Sequence, residues 1–198
     1  ELLRVFQAGL SDDGGVQLLA FHRRRATQLA ARHFGMTVIA TAGRQTSADW
    51  CTAMGATHTI DYRNGLREPM KGLGIEQVDA ILLAQEPDAY WSDVCELVAP
   101  LGGIVTIVDA RGPLDVNPLK PKSARFAWEF MFTRALFGVD MERQGGILRA
   151  TARLVEEGVL QTTLSESLGP INAANLKEAH RRIESGKTIG KLVLAGWE

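Results

Sequence analysis

Arginines supply the most distinctive chemistry in this sequence. Arg23, Arg24 and Arg25 follow His22 in a single run, and Arg44 stands alone after a β-branched segment. A guanidinium group presents five N–H donors in a planar fork that matches phosphate oxygens, so these positions indicate phosphate binding. The run at 22–25 has a second interpretation, a solvated charged face, which we favour because most exposed charges have no specific partner.

Other kinds of catalytic chemistry have no recognisable pattern here. The histidines at 22, 33, 58 and 180 are scattered, and Cys51 and Cys95 form no CxxC pair, so the sequence predicts no zinc site. There is no GxSxG motif, no cysteine–histidine arrangement and no obvious pair of carboxylates. We therefore assign neither a catalytic nor a metal-binding residue from the sequence.

Composition narrows the class of protein. The 198 residues are 45% hydrophobic and 23% charged, with a formal net charge of −1, which is ordinary for one or one and a half globular domains. This balance gives no reason to expect nucleic acid as a partner. No apolar run approaches the roughly 18–20 residues that cross a membrane. The N-terminus lacks the plan of a signal peptide, and the two cysteines are expected to be buried and free, so we predict a cytoplasmic protein.

Apolar runs alternate with amphipathic segments over the first 108 residues. The predicted strands are 16–21, 37–41, 58–61, 78–84 and 104–108, separated by predicted helices at 26–34, 47–54, 66–73 and 88–98. Ser47 and Asp88 are the predicted N-caps of two of these helices, and Pro100 with Gly102 and Gly103 predicts a turn. The alternation predicts an α/β fold, a Rossmann-like doubly wound parallel sheet with helices on both faces.

In such a sheet, ligands bind at the carboxyl ends of the strands. This rule places the strand-end residues Phe21, Ala42, Ala84 and Val108 around any site. It also puts Arg44 where a dinucleotide's adenosine ribose would lie, and an arginine there accommodates a 2′-phosphate, whereas an acidic residue would favour NAD. The alternative for Arg44 is a solvated loop arginine.

The second part of the sequence is less regular. Residues 114–121 are proline-rich, and residues 124–137 are dense in aromatic side chains, which we predict to pack in a core or a subunit interface rather than around a substrate. A helix is predicted at 144–157 and a strand at 162–164. Asn172 is the predicted cap of a helix reaching residue 184, and a last strand is predicted at 191–194.

Several stretches in order carry a family resemblance. Residues 37–44 (TVIATAGR), 54–63 (MGATHTIDYR), 128–134 (WEFMFTR) and 168–176 (LGPINAANL), with His180 and residues 186–191, resemble zinc-type alcohol dehydrogenase-like proteins and quinone oxidoreductases. These proteins form part of the medium-chain dehydrogenase/reductase superfamily. The resemblance covers nearly all of the chain from Thr27 onward, and corresponds to the cofactor domain and the closing segment of such proteins.

The resemblance implies an NADP(H)-dependent oxidoreductase that transfers hydride to or from a carbonyl, quinone or enone. It implies a nucleotide-binding domain over residues 1–140, and a segment over 141–198 that belongs to a catalytic domain whose GroES-like N-terminal part is absent. A small-molecule substrate and a homodimer are expected as partners. The cofactor-binding residues implied are Ala42, Gly43, Arg44, Tyr62, Ala84, Val108 and Lys191. Tyr62 has the alternative of a half-exposed rim tyrosine, and Lys191 that of a strand-edge lysine.

One departure from the family pattern is clear. The family carries a glycine-rich GGAGGVG after its first strand, which lets backbone N–H groups approach pyrophosphate. Here the junction reads AFHRRRATQ over residues 20–28, and no glycine occurs between Gly15 and Gly35. The sequence therefore leaves a second hypothesis open, a catalytically silent Rossmann-like module used for assembly.

Overall fold

The computed structural model describes the backbone of residues 17–21 and the whole of residues 33–197. The glycine-free junction after residue 21 and nearly all of the helix predicted at 26–34 lie outside this range. The chain divides into two compact units, one reaching Leu160 and the other starting at Gln161.

A six-stranded parallel sheet forms the centre of the first unit. Its strands lie in the order β3-β2-β1-β4-β5-β6, and every neighbouring pair is parallel. This is the strand order of Rossmann-type sheets, with the reversal of order between β1 and β4. The predicted parallel α/β sheet is confirmed, with β3 at one edge and β6 at the other. The strands are β1 Gln17–Phe21, β2 Thr37–Thr41, β3 His58–Ile60, β4 Val78–Leu83, β5 Val98–Thr106 and β6 Arg125–Trp128.

Three helices connect strands close to predicted positions, a fourth near the predicted 144–157 follows β6, and the short helix at 133–137 and the 3₁₀ helix at 117–122 were not predicted. These helices are α1 Gln45–Ala53, α2 Arg67–Gly72, α3 Pro87–Leu97, α4 Thr133–Phe137 and α5 Met141–Glu156, with a 3₁₀ helix at Asn117–Lys122. Both predicted N-caps are wrong. Helix α1 starts two residues before Ser47, with Arg44 at the cap position. Helix α3 starts at Pro87 with Glu86 at the cap position, and the carboxylate of Asp88, inside the first turn, accepts hydrogen bonds from a distant loop.

Helices cover both faces of the sheet. Ile39 belongs to the main hydrophobic core, which includes Met70 of α2 and Trp91 of α3, whereas the adjacent Ala40 packs with Cys51 of α1. Successive residues of a strand point to opposite faces, so these two clusters lie on opposite sides of the sheet. Cys51 and Cys95 are buried and free, as predicted, and burial raises the pKa of both thiols.

The predicted turn at Pro100 and Gly102–Gly103 is also wrong. Strand β5 runs through these residues, but its register against β4 shifts between the pairs Val78–Val98 and Ala80–Gly103. Leu101 takes a left-handed conformation, with a φ of 65°. Residues 99–102 of β5 therefore lie opposite Asp79 alone, an irregularity within the strand that a local turn pattern cannot distinguish from a chain reversal.

The aromatic segment divides between the core and the surface. Phe126 of β6 packs edge-to-face on Trp91, with ring centroids 5.2 Å apart. Trp128, Phe130 and Phe137 are instead 52%, 53% and 75% exposed within this single chain. The predicted core packing is therefore confirmed for Phe126, and for the three exposed side chains the alternative of a subunit interface stays a prediction.

The second unit is small. Strands β7 Leu164–Ser167 and β8 Lys191–Val193 pair in parallel, and α6 runs over Ala173–Glu184. The predicted cap of α6 is confirmed, since the side-chain oxygen of Asn172 accepts a hydrogen bond from the backbone N–H of Asn175 at 2.8 Å. None of the helices over residues 33–197 combines the length and apolarity that crossing a bilayer requires.

Candidate functional site at the carboxyl ends of the strands

A cleft opens where β2 and β3 end. Its volume is about 250 Å³, smaller than a typical site for a whole drug-sized ligand, so it suits one end of an extended molecule. Its lining comes from the end of β2, the start of α1 and the end of β3. The lining residues are Ala42, Gly43, Arg44, Gln45, Ala48, Thr59, Ile60, Asp61 and Arg63.

Three of the predicted site residues lie together in this cleft. Ala42 is buried, Gly43 is partly exposed and Arg44 is exposed at the cap position of α1. The first turn of α1 contains no acidic residue, so the positive end of the helix dipole adds to the arginine charge. The Ala42–Arg44 corner therefore offers a positive environment to an anionic group.

Tyr62 closes one side of this corner. A Cβ atom built on Gly43 would lie 3.2 Å from Cε1 of Tyr62 and 3.3 Å from its hydroxyl oxygen. The tyrosine ring therefore approaches the Gly43 backbone too closely for an ordinary side chain to be added without movement. Tyr62 also meets the ring of Tyr90 edge-to-face, with centroids 6.0 Å apart. Tyr62 is partly buried, which fits both the cofactor-binding interpretation and its alternative as a rim tyrosine, and its role toward a cofactor stays a prediction.

Ala84 and Val108 lie at the same edge of the sheet, after β4 and β5. Leu83 pairs in register with Thr106, and the fully buried hydroxyl of Thr106 donates to the Leu83 carbonyl at 2.9 Å. The Val108 N–H approaches the same hydroxyl at 3.4 Å. Thr106 thus links the carboxyl ends of β4 and β5. Ala84 and Val108 lie beside these ends, and both are partly exposed.

A second tie holds the segment that follows β5. The carboxylate of Asp88 accepts hydrogen bonds from the backbone N–H groups of Arg111 and Gly112, each at 2.9 Å. These backbone donors, that of Arg111 foremost, lower the pKa of Asp88. The loop after β5 is thereby fixed to the start of α3, next to the exit of β4.

Lys191 lies in the second unit. It is the exposed first residue of β8, and its backbone N–H donates to the Thr163 carbonyl at 2.7 Å. This is the position of an edge lysine, and the role of Lys191 toward a cofactor stays a prediction.

Sequence reasoning missed two charged residues of the cleft, Asp61 and Arg63. They follow β3, and Arg63 forms a bidentate ion pair with Asp61, with its Nη2 2.6 Å from Oδ2 of Asp61. These bonds lower the pKa of Asp61 to about 2, so its carboxylate is ionised at neutral pH. The strand-end rule that pointed to Ala42 would have found this pair if it had also been applied to β3.

The side chains of residues 33–197 do not form a zinc site. Within residues 33–197 no group of three or more His, Cys, Asp or Glu side chains is placed to hold a metal. Cys51 and Cys95 lie in clusters on opposite faces of the sheet, so they cannot contribute to one coordination sphere.

Comparison with known proteins agrees with this geometry. A family model described as zinc-binding dehydrogenase matches residues 54–194. A zinc-type alcohol dehydrogenase-like protein of Staphylococcus aureus (strain MSSA476) is 38% identical over 170 residues, which is 85% of this chain and 50% of the relative. The chain therefore spans about half the length of the curated relatives that it matches.

Solved structures extend the similarity to three dimensions. A Rhizobium etli CFN 42 protein assigned as a zinc-dependent alcohol dehydrogenase superposes with a TM-score of 0.85 at 35% identity, covering 96% of this chain and 57% of that one. A mycobacterial protein solved with NADPH has a TM-score of 0.73 at 18% identity, covering 98% of this chain and 61% of that one, which shows a shared fold. The resemblance seen in the sequence is thus confirmed, and the chain belongs to the zinc-binding dehydrogenase family, in the zinc-type alcohol dehydrogenase-like group of the medium-chain dehydrogenase/reductase superfamily.

Proposed function

We propose that this chain is the NADP(H)-binding portion of an oxidoreductase that acts on a carbonyl, quinone or enone. The observation that carries the proposal is Arg44, exposed in a cleft at the carboxyl ends of β2 and β3 of a sheet with Rossmann strand order. In this fold the corner after the second strand receives the adenosine ribose, and arginine there accommodates a 2′-phosphate. The mycobacterial protein of the same fold was solved with NADPH, so this fold accommodates the proposed cofactor.

The protein's part in the reaction is to bind and orient. Arg44 and the start of α1 would hold the adenosine end, with the Tyr62 ring beside Gly43 as one wall. Ala84 and Val108 would flank the other end, held in place by the Thr106 and Asp88 hydrogen bonds. The cofactor itself supplies the hydride chemistry when bound.

This chain would bind the cofactor, whereas the complete reaction would need a longer protein. Because the chain spans half of its curated relatives, we expect the substrate to be bound largely by a GroES-like domain outside these 198 residues. Under this view residues 1–140 form the nucleotide-binding domain and residues 141–198 belong with the catalytic domain.

Calorimetric titration of NADPH and NADH tests the cofactor. A charge-assisted hydrogen bond contributes about 1.5–3 kcal/mol, so Arg44→Ala should weaken NADPH about 10- to 100-fold and leave NADH nearly unchanged. Arg67→Ala is a matched control, because Arg67 is an exposed arginine paired with Asp93 and Glu96 outside the cleft. An equal loss for both nucleotides in Arg44→Ala would remove the argument for a 2′-phosphate.

A second candidate function is a silent assembly module that forms a homodimer. Two observations favour it: the glycine-free junction at residues 20–28, and the exposure of the aromatic side chains of Trp128, Phe130 and Phe137. Trp128 is the last residue of β6, which within the described residues pairs with β5 alone. An unpaired strand edge beside exposed aromatic side chains suits a second copy of the same strand across a two-fold axis.

Mass measurement in solution, combined with NADPH titration, separates the two functions. Micromolar NADPH binding supports the oxidoreductase, whereas a folded dimer that binds no nucleotide supports the assembly module. Phe137→Asp should shift the mass toward the monomer, and Ile183→Asp, at a 60% exposed site on α6, should not. A dimer that survives Phe137→Asp unchanged would exclude these exposed aromatic side chains as the interface.

A further inference from the structure

The β2–β3 cleft contains two arginines, and each of them can bind an anionic group. Arg44 and Arg63 both line the cleft, and Asp61 is the acidic residue of the lining. With Asp61 ionised, the two arginines leave the cleft with a net charge of +1. A phosphate monoester carries between one and two negative charges near neutral pH. Because Asp61 offsets one of the arginine charges, Arg63 adds hydrogen-bond donors to the cleft rather than further net positive charge.

Arg63 is bonded on one edge only. Its Nε and Nη2 donate to the Asp61 carboxylate, at 3.0 Å to Oδ1 and 2.6 Å to Oδ2, and Oδ1 also accepts from the Arg63 backbone N–H at 3.0 Å. Within the described part of the chain, Nη1 makes no hydrogen bond. A guanidinium has five donors in a rigid fork, so the edge formed by Nη1 and the second Nη2 proton remains available for another pair of oxygens.

The hydrogen bonds to Asp61 hold Arg63 in place and leave some of its N–H donors unoccupied. Asp61 fixes the guanidinium from both the backbone and the side chain, which reduces the conformational entropy that an exposed arginine would lose on binding. The Arg63 side chain is 64% exposed and lines the cleft, so a ligand bound there can reach it.

We propose that Arg63 is a second ligand of the nucleotide 2′-phosphate, held at the rim of the cleft by Asp61. The inference rests on the proposed function and deepens it, because it assigns cofactor specificity to two arginines from different strand ends. Arg44 approaches the phosphate from the β2 side, and Arg63 completes the pair from the β3 side.

Titration of the full chain with four nucleotides tests this role: NADPH, NADH, and the fragments adenosine 2′,5′-bisphosphate and ADP. We expect Arg63→Gln to weaken NADPH and the 2′,5′-bisphosphate about 10-fold and to change NADH and ADP less than twofold. Arg63→Lys should recover part of the loss, since it retains the charge but not the fork. Arg67→Gln, a similarly exposed and similarly paired arginine outside the cleft, should change none of the four.

The outcomes separate this inference from the function on which it rests. If the wild-type chain prefers NADPH and Arg44→Ala removes that preference, but Arg63→Gln retains it within twofold, Arg63 has no role and the inference alone is overturned. If the wild-type chain does not prefer the 2′-phosphorylated nucleotides, the NADP(H) proposal fails first. Thermal unfolding of each variant confirms that it is folded before titration.

Discussion

Removing the Thr106 hydroxyl should destabilise the carboxyl ends of β4 and β5, which flank the proposed cofactor site. Thr106 is fully buried, and its hydroxyl donates to the Leu83 carbonyl at 2.9 Å. Thr106→Val keeps the branched shape but leaves that carbonyl without this donor. The stranded carbonyl costs about 1–3 kcal/mol, and the new buried methyl group returns at most about 0.8 kcal/mol. With the full methyl gain, we expect a net loss of about 0.2–2 kcal/mol in the free energy of unfolding.

Urea denaturation at neutral pH measures this loss as a lower midpoint with an unchanged slope. Thr52→Val is the matched control, because the Thr52 hydroxyl donates to the Ala48 carbonyl at 3.2 Å on an exposed face of α1. Water replaces that bond, so the control should change stability by less than about 0.5 kcal/mol. Equal effects of the two substitutions would refute the claim that burial of the Leu83 carbonyl sets the cost. Under the proposed function, Thr106→Val should also weaken NADPH and NADH alike, unlike Arg44→Ala.

Three further predictions address the frame around the site. Gly102→Ala should destabilise the chain by about 1–3 kcal/mol by chemical denaturation, because a Cβ there would lie 2.9 Å from two backbone carbonyl oxygens, whereas Gly72→Ala has open space and should not destabilise. Asp88→Asn should speed hydrogen exchange at the Arg111 and Gly112 amides, measured by mass spectrometry, because a neutral amide oxygen is a weaker acceptor. Hydrogen bonds from Arg181 and Arg182 lower the pKa of Glu178 to about 2. Its stabilising effect is therefore complete above its ordinary pKa near 4.5 and lost as the pH falls toward 2. Unfolding of wild type and Glu178→Gln should differ at pH 7 and converge near pH 2; a constant difference would contradict this assignment.

The order of elements in the sheet follows from the sequence to a large extent. Apolar runs such as 78–84 and β-branched runs such as 37–41 recur with helical segments between them, and that spacing alone predicts parallel strands. The strand-end rule then placed Ala42 and Arg44 correctly at one edge. The sequence pattern does not predict which backbone N–H groups a given acidic side chain will bind. Asp88 has the residue type of a helix cap but bonds to amides more than twenty residues away.

What the sequence determines by itself is the class of the protein: a parallel α/β chain of the zinc-binding dehydrogenase family, with an arginine after its second strand. The tertiary structure decided which side chains meet. Arg63 and Arg44 share a cleft because β2 and β3 pair in register, Thr41 opposite Ile60, and Phe126 is packed while Phe137 is exposed. Periodicity is a property of neighbouring residues, whereas a contact between residues nearly twenty positions apart depends on how strands pair, and only the folded chain contains that information.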